Sequence, residues 1–271
     1  MNIKIYKQEP LNYFSGIPVF SEVNNYINNY EKISLDHVEH FNRTGKNPFM
    51  EEGYWKSVED TTKELIKKYS KTNDKILDVG VGLGRLLENF QNLDRYGMDI
   101  SSHYLKIAAE KGINCCMSLI EDMPYEDNTF DVITCTDVLE HVLDINLGVK
   151  NILRVLKPNG ILIIRVPYKE DISWYLSDDC PYDFVHVRAF DENTLKAIFT
   201  KVFPSKVLEW NTAGTTFDYS RLKYPIPPFN RWLKNLFTFY YKKQSANLNK
   251  YKSFFNYNEI NYVIKKESAS K

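Results

Sequence analysis

The stretch KILDVGVGLGRLLENF, Lys75 to Phe90, decides the fold of this chain. Ile76, Leu77 and Val79 form a short apolar run of the kind a buried parallel strand requires. Leu83, Leu86, Leu87 and Phe90 then recur at the three-to-four-residue spacing of a helix laid on a sheet. Gly80, Gly82 and Gly84 fall between and make the strand-to-helix turn. Lacking β-carbons, they allow positive φ and let a ligand reach the main chain at a helix N-terminus. The pattern predicts a nucleotide-like cofactor at this turn.

Two cofactor classes compete for it. A dinucleotide fingerprint reads G-x-G-x-x-G, whereas the third glycine here comes one residue early and Arg85 stands where that fingerprint has glycine or alanine. Asp78, immediately before the turn, would repel a pyrophosphate but suits the ammonium of an amino-acid moiety, such as the methionine end of S-adenosylmethionine. Asp99, at the end of RYGMD, supplies the acid that ribose hydroxyls need. Both cofactors carry a ribose, so Asp99 does not separate them.

The chain resembles the class I S-adenosylmethionine-dependent methyltransferases in four ordered blocks between Lys75 and Tyr168. After the glycine turn come the helical SSHYLKIAAEKG, then INCCMSLIEDMPYEDNTFDVITCTDVLEHV, then NLGVKNILRVLKPNGILIIRVPY. The resemblance implies that Asp78, Gly80, Gly82 and Gly84 hold the methionine end, Asp99 with Ile100 the ribose, and Leu119, Ile120 and Glu121 the adenine, with Thr136 a further cofactor contact. One departure stands out. The adenine loop of this family often reads G-D-A-E, and here the residues are Ser118, Leu119, Ile120 and Glu121. Leu119 cannot accept a hydrogen bond from the adenine amino group, which leaves backbone groups, apolar contact or Glu121.

Strand and helix patterns alternate along the chain, with strands near 75–79, 95–99, 113–117, 130–135 and 160–166, so the sheet is expected to be doubly wound and mostly parallel. LKPNG, Leu156 to Gly160, reads as a turn in which Pro158 halts a helix and Gly160 supplies the reversal. ENTLKAIFTKVF is a further helix and SKVLEWN a sixth strand; NEINYVIKK makes a seventh, antiparallel by resemblance. Trp55, Val58, Leu65, Ile66 and Tyr69 mark an amphipathic helix before the first strand, preceded by a helical arm expected to cover the cofactor. Residues 1–70 are thus an arm and cap helix, and 71–271 a Rossmann-like domain with insertions at 168–190 and 211–258.

Composition fits an ordinary globular protein, at 43% hydrophobic and 26% charged residues. Thirty-five basic residues balance thirty-five acidic ones, which disfavours nucleic acid as partner and favours a small-molecule acceptor. Cys115, Cys116, Cys135 and Cys180 lack metal-ligand spacing and read as reduced thiols of a cytoplasmic protein. No metal site is expected. No run is long enough for a membrane span, and the N-terminal MNIKIYKQEP lacks a signal-peptide core. Within the late insertion, Phe229, Trp232, Leu233, Leu236, Phe237 and Tyr240 form an apolar stripe flanked by basic residues. It suits a lid docked on the domain or on a second copy in a homodimer, and less well a contact of 229–243 with a membrane surface.

A sulfonium methyl group is already activated, so the protein has mainly to place a nucleophile in line and exclude water. A hydroxyl acceptor also needs a base. His141, in DVLEHV at the carboxyl edge of the fourth strand, and His186, in HVR, are the catalytic candidates. Arg188 is a candidate for an acceptor carboxylate or phosphate, and Tyr54, Tyr168 and Trp174 for packing against a polar ring. The expected function is methyl transfer to a hydroxyl of a small polar metabolite such as a sugar. The alternatives are N-methylation and a non-catalytic cofactor-binding module; a dehydrogenase is the remote one.

Overall fold

A computed structural model describes residues 5–49, 52–217 and 255–267. The late apolar stripe at 229–243 lies outside the described residues. Among the described residues nine strands form one sheet: β1 (Asn12–Phe14), β2 (Ile17–Val19), β3 (Lys75–Val79), β4 (Asp94–Asp99), β5 (Asn114–Met117), β6 (Phe130–Thr136), β7 (Leu156–Pro167), β8 (Lys206–Phe217) and β9 (Phe255–Lys265). Their order is β1-β2-β5-β4-β3-β6-β7-β9-β8. The run from β5 to β7 is parallel, and β9 is antiparallel to both β7 and β8. The expected seven-stranded sheet is therefore present, and an N-terminal hairpin, β1 and β2, extends its β5 edge.

The helices are α1 (Asn25–Thr44), α2 (Glu52–Tyr69), α3 (Ser102–Glu110), α4 (Ile145–Val155) and α5 (Glu192–Ala197). Successive strand residues face opposite sides, and both sides are apolar. Leu77, Ile133 and Ile164 pack with Val149, Ile152 and Leu195 of α4 and α5, while Ile76, Val132 and Ile163 pack with Leu65, Ile66, Leu105 and Ala108 of α2 and α3. Two-sided burial explains why the strands read as nearly continuous apolar runs. The chain leaves β3 toward β4 and β5, then crosses to β6 and β7 on the other side. That reversal opens a crevice at the carboxyl ends of β3 and β6, where ligands bind in sheets of this kind.

Two local expectations are corrected. Only a single 3-10 turn, Leu87–Asn89, follows the glycines. Gly84 has φ of +70°, and the backbone at Phe90, φ −119° and ψ 59°, ends the turn before β4 begins at Asp94. In LKPNG the left-handed residue is Asn159, at φ +65°, rather than Gly160. Gly160 is needed for another reason: a β-carbon there would lie 2.7 Å from Leu156 Cδ1 and 2.8 Å from the Lys157 carbonyl oxygen. The segment pairs with β6 through a bulge between Phe130 and Val132.

The arm is more ordered than its composition suggests. Asn24 caps α1 by accepting from the Ile27 N–H at 2.9 Å, and Gly45 ends it at φ +68°. On one side, Glu31 accepts from the Ser102 N–H at 2.8 Å, at the start of α3, and buried Ser34 meets Ser101 hydroxyl to hydroxyl at 2.7 Å. On the other, the Asn29 amide donates to the Phe184 carbonyl and accepts from the Asp183 N–H.

Candidate active site

A cavity of about 1300 Å³ lies over the carboxyl ends of the central strands. Its floor at one end is the glycine turn. Gly80, Gly82 and Gly84 all have positive φ, as read from sequence. Gly80 and Val81 donate to the Met98 carbonyl at 2.7 and 3.0 Å, which folds the turn onto β4. A β-carbon on Gly82 would meet nothing within 4 Å, so the space in front of that backbone is open to a ligand. Gly84 differs from the other two. It is absent from the cavity wall, and a β-carbon there would lie 2.8 Å from Ile113 Cδ1 and 3.1 Å from Ala108 Cα. Its place is one of close packing against α3 and the residue before β5.

Asp78 is buried, and the Thr134 hydroxyl donates to its Oδ1 at 2.7 Å. Burial pushes its pKa up to about 7, partly offset by the bond from Thr134. Asp99 accepts three main-chain hydrogen bonds, from Gly82 at 2.9 Å, Ile100 at 2.8 Å and Ser101 at 2.9 Å. This carboxylate braces the turn against the next strand and faces the cavity as well. Ile100, Leu119, Ile120, Glu121 and Thr136 also line the cavity. The Glu121 carboxylate accepts from the Asp144 N–H at 3.2 Å, while Asn151 holds the Ile120 and Glu121 carbonyls at 3.2 and 2.7 Å. Ser21, just after β2, accepts from the Leu119 N–H at 2.9 Å and donates to Asp122 at 3.0 Å, which ties the arm to this loop.

The opposite end is polar and carries the two histidines, whose ring centroids are 4.6 Å apart. His141 Nδ1 lies 2.9 Å from the Val185 carbonyl and 2.6 Å from the Tyr30 hydroxyl. Burial, with His186 beside it, lowers its pKa to about 3. His186 Nδ1 lies 2.5 Å from the Glu170 carboxylate, which also accepts from the Tyr175 hydroxyl at 3.0 Å. Glu140 is buried, and among the described residues neither of its carboxylate oxygens has a hydrogen-bond partner, nor does Oε2 of buried Glu259. Burial raises both pKa values well above the ordinary carboxylate range, and Asp137 adds to the effect. Asp137 is itself paired with buried Arg165, at 2.5 and 3.3 Å.

The acceptor-side candidates divide. Tyr54, Tyr168 and Trp174 line the cavity, but the Tyr168 hydroxyl is engaged by Glu192 at 2.8 Å, on the first residue of α5. Arg188 is a correction. It is absent from the cavity wall and its guanidinium donates to the carbonyls of Leu139, at 2.8 Å, Val142 and Leu143. It clasps the loop that carries Glu140 and His141, and those carbonyls occupy the donors an acceptor anion would need. Sequence reading missed Tyr26, Tyr30, Glu140, Glu170, Glu259 and the Asp137–Arg165 pair, all near or in the cavity. Arg165 had a usable signal, being a lone charge inside the apolar run ILIIRVP.

Residues 77–164 match the model of the methyltransferase domain family. Among curated proteins, the chain is 31% identical over 161 residues to phosphoethanolamine N-methyltransferase 1 of Zea mays, covering 53% of this chain and 32% of that one. It is 35% identical over 103 residues to a ubiquinone/menaquinone biosynthesis C-methyltransferase of Shewanella sediminis, covering 33% and 41%. The chain thus spans about a third to a half of the length of these relatives. Among solved structures, phosphoethanolamine N-methyltransferase 2 of Haemonchus contortus superposes with TM-score 0.58 at 18% identity, over 92% of this chain and 62% of that one. The fold is that of the class I, Rossmann-like methyltransferases.

Proposed function

We propose that this chain, whose central segment is a methyltransferase domain, transfers a methyl group from S-adenosylmethionine to a hydroxyl of a small polar molecule. One observation carries the reading: the glycine-and-acid end and the histidine-and-carboxylate end face each other across a single cavity. The residues at the first end fit the cofactor. Asp78 is oriented by Thr134 for an ammonium, Gly82 leaves open space at the main chain, and Asp99 stands over the turn where a ribose would lie. When bound, the cofactor supplies a methyl group already activated by its sulfonium, so the protein's contribution is alignment and exclusion of water.

Exclusion falls to α1 and to segment 168–190, which are bonded to each other over the acceptor end. Deprotonation of a hydroxyl belongs to the histidine end. His141 is a weak proton acceptor, since burial holds its pKa near 3. His186 is better placed, because the Glu170 carboxylate at Nδ1 fixes its ring with Nε2 free to accept. Tyr54, Trp174 and Tyr175 supply flat rings suited to a sugar or similar ring.

A second reading, methylation of an amine, is favoured by a specific feature. The Glu140 carboxylate and Oε2 of Glu259, without partners among the described residues, would stabilise an ammonium, and two of the three proteins named above are N-methyltransferases. Calorimetric titration with the demethylated cofactor tests the shared basis of both readings; absence of binding would sink them. A panel of amine and polyol acceptors assayed with labelled donor separates them.

A further inference from the structure

The histidine end of the cavity holds a carboxylate without a hydrogen-bond partner among the described residues. Glu140 is 1% exposed, and neither of its oxygens is bonded there. Desolvation strongly disfavours an uncompensated buried carboxylate, so it calls for a proton or a cation. Its neighbours decide which. His141 Nε2 lies 3.9 Å from Glu140 Oε1, and Glu140, His141 and His186 each offer one ligand atom within 4.8 Å of one another.

Both imidazoles are held in the tautomer a cation needs. His141 Nδ1 faces the Val185 carbonyl at 2.9 Å, which can only accept, and the Tyr30 hydroxyl at 2.6 Å, whose own proton has the Val185 carbonyl to go to at 3.1 Å; a proton on Nδ1 serves both partners and leaves the lone pair on Nε2. The partner of His186 Nδ1 at 2.5 Å is the Glu170 carboxylate, which again leaves the lone pair on Nε2. A ring nitrogen fixed by a carbonyl or carboxylate behind it, with the other free in front, is the support that metal-binding histidines receive from their surroundings. Tyr175, donating to Glu170 at 3.0 Å, orients that carboxylate in turn.

We propose that Glu140, His141 and His186 bind a divalent transition-metal ion at the acceptor end of the cavity. Two imidazoles and one carboxylate favour zinc or a neighbouring first-row ion over magnesium or calcium, which prefer all-oxygen shells. Three protein ligands leave open coordination positions facing the cavity, where an oxygen of the acceptor completes the shell. Ligand atoms in a tetrahedral site are about 3.4 Å apart for bonds of about 2.1 Å, so side-chain rotations draw the three inward around the ion. For its role the ion rests on the methyl-transfer reading; its binding does not, and is measured without cofactor. With an ion present His186 is a ligand, no longer a free base.

The test is titration of chelator-treated full-length protein with cobalt(II), followed by its visible ligand-field absorption, then displacement by zinc(II) with metal content measured by mass spectrometry. One equivalent per chain is expected, with a band that zinc abolishes and zinc raising the Tm of the parent. Glu140→Gln and His186→Gln should each weaken binding at least about tenfold, and Glu170→Gln by roughly 10- to 100-fold through the lost support. Cys180→Ser should leave it intact. No band in the parent, or equal binding by Glu140→Gln and His186→Gln variants that still bind the demethylated cofactor normally, overturns the site. Metal binding with no cofactor binding would instead remove the methyl-transfer reading and leave the site standing.

Discussion

Tyr30 and His141 share a 2.6 Å hydrogen bond that joins the arm helix to the loop after β6. The Tyr30 hydroxyl also donates to the Val185 carbonyl at 3.1 Å, so one side chain sets both the histidine and segment 168–190. Tyr30→Phe should therefore cost about 1 kcal/mol of stability. Hydrogen exchange should quicken in both 25–44 and 180–187. Protection lost in the helix alone would show that the tyrosine does not couple the two.

Asp78 titrates in the accessible range. Its pKa rises from 3.8 unfolded to about 7 folded, so the folded state binds the extra proton between these values. Stability from this group is full below about pH 4 and is lost as pH rises through 7. The loss is at most about 4 kcal/mol for a shift of this size. Ligand-free Asp78→Asn should thus exceed the parent in Tm at pH 8 and match it less favourably at pH 4. In the parent, affinity for the demethylated cofactor should strengthen from pH 6 to 8 as the carboxylate ionises, and calorimetry at both pH values checks it.

The three glycines should separate into two classes. Gly82→Ala meets no neighbour, so beyond the backbone strain at φ +50° its effect should be a loss of cofactor affinity of tenfold or more. Gly80→Ala drives a β-carbon to 2.2 Å from Val138 Cγ2, and Gly84→Ala crowds Ile113 and Ala108. Those two should lower stability by about 1–3 kcal/mol, read by urea denaturation.

Arg188→Ala should destabilise the 139–143 loop, because three carbonyls lose their donor. About 1–3 kcal/mol is expected. Its effect on turnover should come through the setting of His141, as a fall in kcat. A rise in the acceptor KM alone, with kcat unchanged, would restore the anion-binding role read from sequence.

The sheet was legible because both its faces are buried. Ile76, Val132 and Ile163 point one way and Leu77, Ile133 and Ile164 the other, and each pair leaves an apolar run. The glycine turn was legible because its backbone geometry demands particular residues, as the positive φ of Gly80 and Gly82 shows. The acceptor end was not, since it is assembled from side chains far apart in the chain. Tyr30 meets His141 across 111 residues, and Asn29 meets Phe184 across 155. Arg188 misled for a related reason: a guanidinium satisfied by main-chain carbonyls has the same one-letter code as one awaiting an anion. The helix foreseen after Gly84 is cut to one 3-10 turn by the non-helical backbone at Phe90, which periodicity does not register.

Helix α1 is fastened at Ser34 and Glu31 to the start of α3, beside Asp99, and at Asn29 and Tyr30 to the segments around His141 and His186. Tyr30 and Glu31 are neighbours in sequence, so a single stretch of α1 is shared by the histidine end and the glycine-turn end of the cavity. A substitution at Ser34 is expected to reach the setting of His141 through that stretch, although no atom of the histidine is altered.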